Sequence, residues 1–141
     1  MKTIIYTILF AATLILPAVN VHAAELSPLE WKSKGTTFTG FYAEGEKSKP
    51  GIVIFHQWLG VSSHEKEIAS ELNKLGYTVL AADLYGKGNI PSNRDDAKKI
   101  AGAFYADRGK FRSHVSEALK ALSKKSGKSS NEAPPKKWTR S

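Results

Sequence analysis

Two apolar runs of strand length, separated by a helix-length segment, constrain this chain more than any other feature. Gly51-Ile52-Val53-Ile54-Phe55 has no polar alternation, and neither has Tyr77-Thr78-Val79-Leu80-Ala81-Ala82 apart from Thr78. Strands covered on both faces by helices in a parallel sheet read this way. Between the runs, Ser62 with Glu65 three residues on forms a capping box. Ile68, Leu72 and Leu75 then recur at helical spacing, and Gly76 stands where a helix terminator is expected. A strand, a helix and a parallel strand make a β-α-β unit.

The flanks extend this pattern. Leu29-Glu30-Trp31 and Thr37-Phe38-Thr39-Gly40-Phe41, around Lys34-Gly35, predict an antiparallel pair rich in aromatic and β-branched residues. Pro91 to Ala106 predicts a helix with Ala97, Ile100 and Phe104 inward, weakened by Gly102. The pair Asp95-Asp96 reads as a charged helix start. Phe111, Val115, Ala118, Leu119 and Leu122 predict a further helix, after which an α/β protein needs another strand. Instead, residues 123–141 are rich in Lys, Ser, Pro and Asn, with a lone Trp138, and read as disordered.

The first 23 residues have the layout of an export signal. Lys2 is the positive start, Ile4 to Leu16 is apolar apart from Thr7 and Thr13, and Val21-His22-Ala23 offers the small residues a signal peptidase reads. Pro17 and Asn20 favour cleavage after Ala23 over an uncleaved anchor, so an exported, periplasmic or secreted product with no remaining membrane segment is expected. The chain has no cysteine, which excludes lipid attachment at the junction, disulfides, thiolate metal sites and a thiol nucleophile.

Charge points to a tail more than to a folded surface. The 141 residues carry a formal net charge of +8. Residues 124–141 hold six basic residues and one acid, Glu132, whereas residues 24–123 hold 14 basic and 12 acidic residues. The division expected is a signal over 1–23, an α/β domain over 24–123 and a basic disordered tail over 124–141. A nucleic-acid partner is not expected.

Most constellations of catalytic residues are absent. Gly86-Lys87-Gly88 lacks the spacing of a phosphate loop, and Gly60-Val61-Ser62-Ser63-His64 lacks the final Gly of a nucleophile elbow. His64 and His114 have no partner at metal-ligand spacing, so no metal or other cofactor is expected. The loop His56-Gln57-Trp58-Leu59-Gly60 is different. It leaves the carboxyl end of a buried parallel strand, where open α/β sheets place their ligand crevice. Three bulky or polar residues, His56, Gln57 and Trp58, occupy it. A structural alternative has Trp58 covering the sheet top and His56 satisfying a backbone carbonyl.

The run Pro50 to Gly60, the segment Leu75-Gly76-Tyr77 to Asp83-Leu84-Tyr85-Gly86-Lys87-Gly88, and Ala106-Asp107-Arg108 before an apolar helix together resemble the dienelactone hydrolase family over roughly Leu29 to Leu122. The resemblance implies an α/β-hydrolase fold and hydrolysis of an ester or lactone. It implies that the backbone N–H of Trp58 helps form an oxyanion hole. Gln57 stands where the family often has an acid, and Lys87 matches a position that can hold a substrate carboxylate. The family's nucleophile lies in a Gly-x-Cys-x-Gly turn after the next strand, and its aspartate and histidine follow. None of these is found here, so the chain reads as the N-terminal portion of such a sheet, truncated before the nucleophile strand and catalytically incompetent. The missing strand would have paired with residues 52–55, so self-association through that exposed edge and poor solubility are expected. The competing expectation is a non-catalytic secreted protein that binds acidic surfaces through its basic tail.

Overall fold

The computed structural model describes residues 25–128, so the expected export signal and most of the basic tail lie outside the described residues. The antiparallel pair forms as β1 (Ser27–Ser33) and β2 (Thr36–Ala43), joined by a two-residue turn. Lys34 and Gly35 both have positive φ, 47° and 81°. That combination matches the twist of a tight hairpin and explains the Gly at its second position. Trp31 and Phe38 face each other across the pair and stack with centroids 5.6 Å apart.

The two apolar runs become β3 (Gly51–Phe55) and β4 (Thr78–Ala82), parallel to one another, with α1 (Ser63–Lys74) between them in sequence. β4 also pairs antiparallel with β2, giving the sheet order β1-β2-β4-β3. Glycine is required where β2 meets β4, because a Cβ on Gly40 would lie 2.6 Å from the Ala81 carbonyl oxygen. α2 (Arg94–Ala106) and α3 (Arg108–Ser126) follow β4. The described residues thus form the N-terminal portion of an α/β-hydrolase sheet.

Alternation along β4 sends side chains to two covered faces. Leu80 and Ala82 join Tyr42 with Ala118 and Leu122 of α3, flanked by Val53 and Phe55. Val79 and Ala81 join Ala43 with Ala69 of α1, flanked by Ile52 and Ile54. Full burial of one such aliphatic side chain contributes about 1.5–3 kcal/mol. β3, by contrast, is only partly buried over Ile52–Phe55, and among the described residues it pairs only with β4.

The helices correct the sequence reading in detail. The capping box at Ser62 and Glu65 is present. Leu72 packs against the core as expected, but the fully buried face of α1 is Glu65, Ala69 and Asn73, and Leu75 is 61 % exposed. Leu75 is the C-cap, where the helical period stops. Asn73 goes inward because its amide donates to the carbonyls of Glu44 and Tyr77, at 2.8 and 3.0 Å. α2 starts at Arg94, three residues later than predicted, because Asn93 caps it through the Asp96 N–H at 2.9 Å. α3 is longer than its apolar stripe and ends at Gly127, whose φ of 67° suits a glycine terminator. Lys124 and Lys125 therefore belong to a folded helix.

Candidate active site

Because β3 and β4 are parallel neighbours with Phe55 opposite Ala82, the next residues of each, His56 and Asp83, emerge together at the carboxyl edge. Both are buried. The His56 Nδ1 lies 2.6 Å from the Gln57 carbonyl oxygen, and the Leu84 N–H donates to Nε2 at 2.9 Å. The donor and acceptor roles of the two ring nitrogens follow from the tautomer, which these contacts alone do not assign. Asp83 Oδ1 lies 3.1 Å from Nε2 and accepts the Tyr85 N–H at 2.9 Å. Oδ2 of the same carboxylate is enclosed and has no hydrogen-bond partner among the described residues.

A second histidine meets Leu84 from its carbonyl side. His114 of α3 has Nδ1 2.7 Å from the Leu84 carbonyl oxygen and sits edge-on to Phe38 and Phe104. The Leu84 backbone is therefore gripped by His56 from β3 and His114 from α3. Tyr85 ties down the remaining loop. Its hydroxyl reaches the Trp58 carbonyl oxygen at 3.1 Å and the Gln57 carbonyl oxygen at 3.5 Å. Burial, then Tyr105 and the Asp83 carboxylate, push the Tyr85 phenol above its ordinary range and keep it a donor.

These loops bound a cleft of about 350 Å³ with walls from Gln57, Trp58, Tyr85, Phe104, Tyr105 and Phe111. Trp58 is 50 % exposed and lines the cleft. Tyr85 and Phe104 pack with centroids 5.4 Å apart, so the floor is aromatic. His56, Gln57 and Trp58 thus come together at one opening. Lys87 does not join them: its ammonium is paired with the Glu30 carboxylate on β1, and its backbone N–H donates to the Thr37 carbonyl at 2.8 Å. Ser62 is occupied as a cap, accepting from the His64 N–H and donating to Glu65 at 2.5 Å. Among the described residues no three His, Asp or Glu side chains converge as metal ligands.

Asp83, Tyr85 and His114 were not singled out by sequence reasoning as site residues. Asp83 and Tyr85 had a usable signal, because they follow β4 as His56 and Gln57 follow β3, and parallel neighbours end side by side. His114 had none beyond its place on the flank of an apolar stripe.

A mixed sheet with β1-β2-β4-β3 order, helices on both faces and a cleft at the carboxyl ends of its parallel strands is the N-terminal portion of an α/β-hydrolase architecture. The family model described as "Dienelactone hydrolase family" matches residues 38–133, and the chain belongs to that family. It is similar to a protein of Aquifex aeolicus (strain VF5) provisionally named carboxymethylenebutenolidase, at 31 % identity over 83 residues, covering 57 % of this chain and 36 % of the relative. It is also similar to "Protein usf" of Aquifex pyrophilus, at 29 % identity with the same shares. Among solved structures it resembles "m3DLH", with TM-score 0.65 and 29 % identity over 72 % of this chain and 43 % of that one. A dienelactone hydrolase-like promiscuous phosphotriesterase, P91, from metagenomic libraries gives TM-score 0.62 and 29 % identity over 72 % and 44 %. The chain spans about 36 % of the length of the curated relatives it matches. No cysteine occurs in its 141 residues, so it holds no thiol nucleophile.

Proposed function

We propose that this chain supplies one wall and one oxyanion donor of a hydrolase site for ester or lactone bonds, and does not turn over such bonds by itself. The observation that carries the reading is the aromatic cleft at the joined ends of β3 and β4, bounded by Gln57 and Trp58. An acyl group seated there brings its carbonyl beside the loop whose Trp58 N–H is the donor implied by family membership. Such a donor stabilises the negative oxygen of a tetrahedral intermediate. Gln57 can hydrogen-bond a substrate but cannot take up a proton. Lys87 would contact a substrate carboxylate only after leaving Glu30. The nucleophile and its base come from residues other than these.

Residues 1–23 carry the chain out of the cytoplasm in this reading, and among the described residues no helix is long and apolar enough to cross a membrane. Two measurements test the proposal. Purified residues 24–141 should release no chromophore from an aryl ester above the buffer rate. The unreacted ester should still shift the Trp58 amide resonance. Turnover would show that a nucleophile is present after all, and an unmoved Trp58 amide would remove the cleft as the site. Export is tested by mass spectrometry of the expressed full chain, whose processed form should begin at Ala24.

A further inference from the structure

A second cleft, sharing no residue with the first, lies between β1 and the C-terminal half of α3. Its volume is about 440 Å³, and Leu29, Trp31 and Ala121 give it an apolar lining. Four lysines, Lys32, Lys120, Lys124 and Lys125, border it together with two acidic residues, Glu30 and Glu117. Both carboxylates are already engaged. Glu30 pairs with Lys87 outside the cleft, and Glu117 pairs with Lys120 at 2.9 Å. Lys125 lies over the Tyr42 ring, 5.8 Å from its centroid. Lys32 and Lys124 have no acidic partner among the described residues. The indole N–H of Trp31 is enclosed and has no acceptor there either.

A cleft with a surplus of lysines at its border and an apolar lining is complementary to one kind of ligand. That ligand is an anion carried on an apolar body. Lysines act as compact point charges, without the planar fork by which arginine matches a carboxylate. Several around one opening suit a compact, doubly charged group. We propose that this cleft binds a phosphate monoester whose aryl or alkyl portion rests on Leu29, Trp31 and Ala121. Placement of Lys124 and Lys125 in the last turn of α3 also suits the helix macrodipole, but that effect requires no cleft beside Trp31. The site does not depend on the hydrolase reading, since it involves neither the sheet's carboxyl edge nor the β3 edge.

The test is titration of the full chain with inorganic phosphate, phenyl phosphate and benzyl alcohol, followed by NMR. Trp31→Phe, which keeps the stack on Phe38, assigns the Trp31 indole resonance. Phenyl phosphate should shift that resonance and bind about tenfold more tightly than inorganic phosphate, with benzyl alcohol inert. Lys32→Gln with Lys124→Gln, both at exposed positions, should weaken phenyl phosphate about tenfold. Lys98→Gln on α2 should leave binding unchanged. Vesicles containing phosphatidic acid, run beside the soluble ester, distinguish a lipid headgroup from a free ester, and binding of either supports the site. The proposal is overturned if neither binds, if the double variant binds as tightly as the parent, or if the shifts fall on residues 129–141 instead of Trp31.

Discussion

β3 and β4 have the same length, nearly the same apolar content and a shared parallel pairing, yet their environments are opposite. Every residue of β4 is buried, and four of its five side chains are wholly inaccessible hydrophobic groups. β3 is only partly buried throughout Ile52–Phe55. What differs is position in the sheet: β4 has β2 on one side and β3 on the other, while β3 has a partner on one side only among the described residues. An unbroken apolar run therefore records that a strand is meant to be covered. It does not record by what, or whether the covering residues lie in the same stretch of chain.

The sharpest way to break this comparison is truncation on each strand. Leu80→Ala should cost about 3–5 kcal/mol, since a fully enclosed side chain leaves a cavity. Ile54→Ala should cost about 1–2 kcal/mol, because its site already opens to solvent. Urea denaturation followed by circular dichroism measures both, and equal losses would mean that the β3 edge is covered in solution. His56→Ala, at the carboxyl end of the exposed strand, should cost about 2–3 kcal/mol by stranding the Leu84 N–H and the Gln57 carbonyl. A loss under 0.5 kcal/mol would show that water replaces the ring without penalty.

Alkaline pH probes the covered half. Burial, together with Glu44, raises the Tyr42 phenol far above its ordinary range, and burial raises Tyr85 as well. A folded-state pKa above the unfolded value gives stability that is complete below about pH 10 and lost as pH climbs past it. Stability should therefore fall as pH rises above about 10, and Tyr42→Phe should flatten that fall. An unchanged slope in the variant would detach the effect from this residue. Smaller still, Ser62→Ala should cost about 1 kcal/mol by uncapping α1. Burial alone would raise the Glu65 carboxyl, but hydrogen bonds from Ser62 outweigh it and hold the group below its ordinary value. That contribution is present above about pH 4.3 and fades as pH falls, so the parent and the variant should converge in acid. Lys87→Ala should change stability by less than about 0.5 kcal/mol, because both members of its pair with Glu30 are more than half exposed.

Much of the fold could be read from residue patterns whose causes are local. The hairpin at Lys34-Gly35, the capping box at Ser62 and the acidic start of α2 depend on neighbours within a few positions, and all are present. Patterns that depend on tertiary context were less legible. Leu75 fits a helical stripe but falls on a terminus, and Asn73 looks like a surface residue until Glu44 and Tyr77 offer it carbonyls. Phe111 and Leu119 belong to the apolar stripe of α3, yet each remains 41 % exposed, because Ala118 and Leu122 point most directly at the sheet. In the site, His56, Gln57 and Trp58 were legible because they interrupt a strand end with costly side chains. The role of His56 was visible only in part. A backbone carbonyl contact could be anticipated, whereas the contact with Leu84 required knowing that β3 and β4 are adjacent.

Leu84 has a consequence for how this sequence can change. One residue is shared between His56 and His114, 58 positions apart in the chain, its N–H facing the first ring and its carbonyl facing the second. Loss of either ring frees the loop that the other grips, so the second loss removes less than it would have removed alone. Their substitutions are therefore coupled and their effects less than additive. A lineage that has given up one of these histidines has little reason to keep the other.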